Sequence, residues 1–171
     1  MAGDFSRLAP LFESSPNGSP PQIVIWHESG LFDSCREALA EAFSCACFNG
    51  CLPAVEYFLN HGVDPNGGDA TGMNALHWAA NRGQLEVVDL LIRCGAALER
   101  KNIYGGTLLD AAVWSGIHET KAKHLEIIKV LLKAGADAAA VEYPTGDDQI
   151  DRILEPYHAK RKSGAELTSD V

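Results

Sequence analysis

Ser44, His77 and Asp110 follow one another at a constant spacing of 33 residues. They are the residue types of a hydrolytic triad, in which a carboxylate orients a histidine that takes the proton of a serine hydroxyl. Such a relay needs partners within about 2.6–3.2 Å of each other. A fixed spacing of this length instead assigns each residue to the same place on a different structural unit. Packed helices stand about 8–10 Å apart, too far for a proton relay between equivalent positions. No catalysis is expected from these three residues. Cys45, Cys47, Cys51 and His61 raise a second chemistry, that of a zinc site. Residues two apart on a helix point in nearly opposite directions, so Cys45 and Cys47 cannot share one metal. Cys47 also aligns with Ala80 and Val113, apolar positions where a thiol packs as a small hydrophobe. Gly67-Gly68 and Gly105-Gly106 lack the Lys-Ser or Lys-Thr that completes a phosphate-binding loop. Neither a metal nor another cofactor is expected, and the glycine pairs read as turns.

The same spacing defines the elements that carry these residues. Gly50, Gly83 and Gly116 are 33 apart in turn, and so are Gly62 and Gly95. Gly135 follows Gly95 by 40, so the third unit holds seven extra residues, within Ile117–His124. Phe43, Leu76 and Leu109 form one aligned column, and Ala46, Ala79 and Ala112 another. In the middle unit Asn74 is suited to cap a short helix over 75–82, ended by Gly83. A second helix over 85–93 carries Leu85, Val88, Leu91 and Ile92 at the spacing of one buried stripe, and Gly95 ends it. Isolated helices shorter than about 12–15 residues are marginal in water, so these must lean on their neighbours. A stack of such units needs about three members and atypical ends. The chain supplies units at roughly 36–69, 70–102 and 103–141. The inserted stretch is expected either to lengthen a helix or to protrude as a loop.

The remaining composition bounds the function. With 171 residues and a formal net charge of −9, the chain suits one domain and disfavours phosphate backbones. Its basic cluster, Lys160-Arg161-Lys162, reads as part of a solvated tail, so no nucleic acid partner is expected. No run approaches the roughly 18–20 apolar residues of a membrane span. Five cysteines, an odd number, and no secretory leader point to reduced thiols and a cytoplasmic protein.

The stretch 71–80, Thr-Gly-Met-Asn-Ala-Leu-His-Trp-Ala-Ala, resembles the opening signature of an ankyrin repeat. Residues 85–91 and Cys94-Gly95-Ala96 resemble its second helix and following turn. In the third unit Gly106-Thr107-Leu108-Leu109 and the run 125–137 repeat the match. The first unit is looser over 43–50 but keeps Gly62-Val63-Asp64-Pro65-Asn66. Asn74 and Ala75 stand where the family carries Thr and Pro, and Asp110 where it carries histidine. The Tyr104-Gly105-Gly106-Thr107 opening and longer third unit are similar to short bacterial members. The resemblance implies an all-α solenoid of about three helix-turn-helix repeats, with degenerate capping helices at both ends. On this reading residues 1–35 form an N-terminal cap and loop, 36–141 the repeats, 142–159 a C-terminal capping helix and 160–171 a polar tail. A helix is expected over 4–13, and 14–22 reads as a loop.

The family implies binding of a protein partner through the concave face and loop tips, by a non-catalytic and monomeric scaffold. Trp78, Trp114 and Phe48 occupy columns that the family leaves exposed, which points their rings toward that face. With Asn81, and with Asp69, Asn102 and Tyr104 near the loop tips, they are the expected contact residues. An enzyme or metal site built on the repeats, and a structural or oligomerising module, are the alternatives.

Overall fold

The computed structural model describes residues 5–67, 73–119 and 121–166 of the chain. Asp69, and Thr71 and Gly72 of the signature, therefore lie outside the described residues. Among the described residues the fold is all-helical. Eight α-helices follow in order: α1 Gln22–Glu28, α2 Arg36–Asn49, α3 Leu52–Asn60, α4 Ala75–Asn81, α5 Leu85–Arg93, α6 Leu108–His118, α7 Lys121–Lys133 and α8 Asp148–Glu166. Two 3-10 helices, Phe5–Phe12 and Ala138–Ala140, complete the described elements.

Capping chemistry sets the starts of the repeat helices. The Asn74 side chain accepts from the His77 backbone N–H at 2.9 Å, which satisfies one of the four unpaired donors of the first turn. Thr107 and Asp110 form a reciprocal box at the head of α6: Asp110 N donates to Thr107 Oγ1 at 3.3 Å, and Thr107 N to Asp110 Oδ2 at 2.8 Å. Gly50 and Gly83 follow the first helices of units one and two with φ of 70°, a left-handed conformation cheapest in glycine. In both turns the next residue donates back into the helix, Cys51 to the Ala46 carbonyl and Gln84 to that of Ala79. Gly116, in the same column, behaves differently. It lies inside α6, where a side chain would press on Ile150, His124 and Ile128. The seven extra residues carry the helix past the point where its equivalents stop, and the missing Cβ lets α7 and α8 approach. Ile117–His124 thus extends α6 to His118 and begins α7 at Lys121, so the insertion lengthens helices on both arms of its turn.

The pairs α2/α3, α4/α5 and α6/α7 stack in succession. First helices pack on first helices, α2 on α4 and α4 on α6, while α3 meets α5 and α5 meets α7. Phe43, Leu76 and Leu109 are buried in one continuous core, together with Ala46, Ala79 and Ala112. The alanine column lets the first helices sit close, as interiors packed to crystal-like density require. Hydrogen bonds repeat with the same register. Asn66 Oδ1 accepts from Ala97 N at 2.7 Å, and one unit later Glu99 Oε1 accepts from Asp137 N at 2.9 Å. These bonds tie each turn after a second helix to the next, a link that apolar periodicity does not disclose.

The ends depart from the sequence reading. Residues 5–12 form a 3-10 rather than an α-helix, in keeping with Pro10, which has no N–H to donate. It packs on α2 with Phe12 buried. A short α1 starts at Gln22, at the edge of the expected loop, and buries Ile23 and Val24. At the other end Ile150 and Leu154 are buried, as their spacing suggests, with Ile153 packed beside them. The last helix runs to Glu166, beyond the expected change to a tail near 160, because Ala159 to Lys162 are good helix formers.

Candidate functional site

Of the residue types with chemical potential, His77 and Asp110 are tied up within their own units and Ser44 is buried. His77 is buried, and its Nδ1 lies 2.8 Å from Asn74 Oδ1. The carboxylate of Asp110 accepts from both the backbone N–H and the hydroxyl of Thr107. Ser44 is buried in the preceding unit. The column of three therefore caps and fills helices. Among the described residues no group of three or more His, Cys, Asp or Glu side chains is placed to hold a metal ion.

The five cysteines form no disulfide, with Cys45 and Cys47 buried and Cys35 and Cys94 exposed. Burial holds the Cys47 thiol well above its ordinary range, and the nearby Cys51 and Cys45 sulfurs add to the rise. Cys51 is raised too, by burial first and then by Glu13. Thiolates are the reactive species, so labelling should be selective. Under native conditions Ellman's reagent is expected to modify Cys35 and Cys94 quickly and to reach Cys45 and Cys47 only on unfolding. Mass mapping of the labelled peptides checks this, and rapid native labelling of Cys47 would refute its burial. Cys47 and Cys51, held neutral by burial, contribute stability that is intact below the ordinary thiol range and is lost as pH rises through the elevated values.

The expected contact residues divide into two groups. Four of them line one groove of about 410 Å³: Asn81, Asn102, Tyr104 and Trp114. The groove runs between the first helices α4 and α6 on one side and the loop before α6 on the other, with Asp110 and Ala111 in its wall. That loop is tied to itself. Asn102 Oδ1 accepts from the N–H of Tyr104 at 2.9 Å and of Gly106 at 3.1 Å, and Gly105 turns with φ of 80°. Tyr104 at the tip is 84% exposed and Trp114 is 55% exposed. The indole of Trp114 is braced from its own helix. His118 stacks on it with ring centres 4.5 Å apart, while His118 Nδ1 hydrogen-bonds the Trp114 carbonyl at 2.7 Å. Asn81 is fixed as well, donating to Ser115 Oγ at 2.9 Å, and its carbonyl lies 3.1 Å from Nε2 of the buried His124.

Phe48 and Trp78 do not join this groove, and their expected exposure is corrected. They are 7% and 3% exposed, with ring centres 5.6 Å apart in an edge-on arrangement. The Arg82 guanidinium covers Phe48 at 4.7 Å. The two rings meet across the contact between α2 and α4 and fill the space there. Adding 33 to each number gives Asn81 and Ala111, the pair at the next contact. Both are small, and both line the groove. The groove is thus the place where an aromatic plug of the first interface has no counterpart in the second. That signal was present in the alignment of columns but needed the pairing of one unit's residue with the next unit's to be read. A second groove, of about 510 Å³, lies on the other side of Trp114 between α6 and the 141–146 loop, with Ile117, Glu142 and Pro144 among its walls. Asp69 lies outside the described residues.

Among the described residues no helix is long and apolar enough to cross a membrane. A family model described as ankyrin repeats, in three copies, matches residues 41–141. Protein fem-1 homolog A-like of Mus musculus is 35% identical over 88 residues, covering 52% of this chain and 12% of the relative. ANK repeat-containing protein nipk-1 of Caenorhabditis elegans is 33% identical over 124 residues, 68% of this chain and 19% of the relative. Palmitoyltransferase ZDHHC13 of Homo sapiens is 31% identical over 124 residues, 64% of this chain and 18% of the relative. The chain spans less than a fifth of the length of each of these proteins. The repeat arithmetic, the stacked helix pairs and the matching family model agree, and the chain belongs to the ankyrin-repeat family.

Proposed function

We propose that this protein is a non-catalytic interaction scaffold that binds a protein partner through the groove between Tyr104 and Trp114. Ankyrin repeats are generally protein-interaction modules, and the finer assignment rests on one observation. Trp114 stands exposed and braced beside a groove that the preceding interface fills with its own aromatics. Exposed tryptophans that are already held in one orientation lose little freedom on binding, and such residues are enriched among binding hot spots. The net charge of −9 favours a partner with a basic surface, through steering of the encounter.

Two variants test the assignment from opposite directions. Trp114→Ala removes the platform, and Ala111→Trp copies Trp78 of the preceding unit so as to fill the groove. Both should weaken capture of a partner from cells that express the protein by about 2 kcal/mol or more, roughly thirtyfold. Thermal unfolding of Trp114→Ala should stay within about 0.5 kcal/mol of the parent, as for other exposed positions. Partner capture unchanged in both variants would refute this site.

A further inference from the structure

We infer that the paired grooves flanking Trp114 take a peptide segment bearing an arginine, whose guanidinium lies on the Trp114 indole. This deepens the interaction reading above and rests on it. The first support is a precedent within the molecule. Phe48, Asn81 and Trp114 occupy one column at intervals of 33. The member in the first unit, Phe48, is capped by the guanidinium of Arg82 from the following unit, 4.7 Å from the ring centre. The member in the second unit, Asn81, is held by Ser115, which stands 33 residues after Arg82. After the third unit the chain departs from the repeat into Ala138–Ala140 and α8. Trp114 keeps the aromatic ring of its column; His118 stacks on one face, and the residue remains 55% exposed. An arginine supplied from outside would complete at Trp114 what Arg82 completes at Phe48.

The second support is charge. Asp110 lines both grooves and Glu142 lines the second, while no Lys or Arg is among the described residues lining either. A cation over an aromatic ring gains most where a counter-charge stands nearby and water is partly excluded. Arginine fits better than lysine, because its planar guanidinium both stacks on a ring and forks toward a carboxylate. The remaining walls, Ala111, Val113, Ile117 and Pro144, suit apolar side chains on either side of that arginine.

A phage-displayed library of random peptides, selected on the intact protein, tests the inference without knowledge of the natural partner. Enriched sequences are expected to share an arginine beside apolar residues. In synthetic versions read by fluorescence anisotropy, replacing that arginine with glutamine should weaken binding about tenfold. Trp114→Ala should have a similar effect, and Glu142→Gln should reduce the loss of affinity with added salt. Peptides that lose binding in Trp114→Ala but tolerate the arginine replacement would overturn the arginine inference while leaving the groove as the contact site. Peptides indifferent to both Trp114→Ala and Ala111→Trp would overturn the groove as well. A selection that enriches no arginine overturns the inference too.

Discussion

Trp78→Ala is expected to destabilise the protein by about 3–5 kcal/mol, the usual range for truncating a buried tryptophan. The ring is 3% exposed, lies against Phe48 and belongs to the contact between α2 and α4. Removing it leaves a hole between two helices that neighbouring side chains can close only in part. It also uncovers part of Phe48, over which the Arg82 guanidinium lies. Urea titration followed by circular dichroism measures the effect, with Trp114→Ala as the internal comparison. The two tryptophans are expected to separate sharply, one acting on stability and the other on binding. Equal midpoints for Trp78→Ala and the parent would mean that the first interface is open at this position. The groove would then not be the place of a missing aromatic plug.

Leu91→Ala is expected to cost about 2–5 kcal/mol. Leu91 is fully buried on α5, which packs on α3 before it and α7 after it. A repeat array holds together through intrinsic unit stability plus nearest-neighbour contacts, so damage to the middle unit weakens both interfaces. Hydrogen exchange provides the check. Amides of α3 and α7 should lose protection together with those of α5, whereas a loss confined to α5 would show that the flanking units stand without it. The same logic explains why α5, only 9 residues long, is helical here at all. Its stability comes from an apolar face buried on two sides, since a segment of this length gains too little from its own hydrogen bonds.

Several elements could be read directly from local chemistry. The second helix of the middle unit occupies Leu85–Arg93, the stretch its apolar stripe marks out, and Asn74 caps α4 as an asparagine at that point should. These features depend on interactions within a few residues along the chain. Gly116 shows where alignment misleads. Its column predicts a helix end, but the inserted residues let α6 continue, and the glycine serves close packing instead. The N-terminal 3-10 helix and α1 have no equivalent in the repeat pattern, so periodicity does not mark their bounds.

The candidate site divides along the same line. Residue spacing alone determined that this chain is a stack of like units, because periodic apolar residues on short helices have no other way to leave water. The family resemblance pointed Trp114, Tyr104, Asn81 and Asn102 toward one face. It assigned Phe48 and Trp78 to that face by the same column rule, and the tertiary structure decided otherwise. Exposure at a repeat position depends on the size of the residue opposite, which belongs to the next unit and lies 30 residues further along. Phe48 meets Trp78 and both are buried, whereas Asn81 and Ala111 stand at the matching positions and leave a groove. Side-chain volume across an interface is a property of a pair, and only the folded arrangement states which residues are paired.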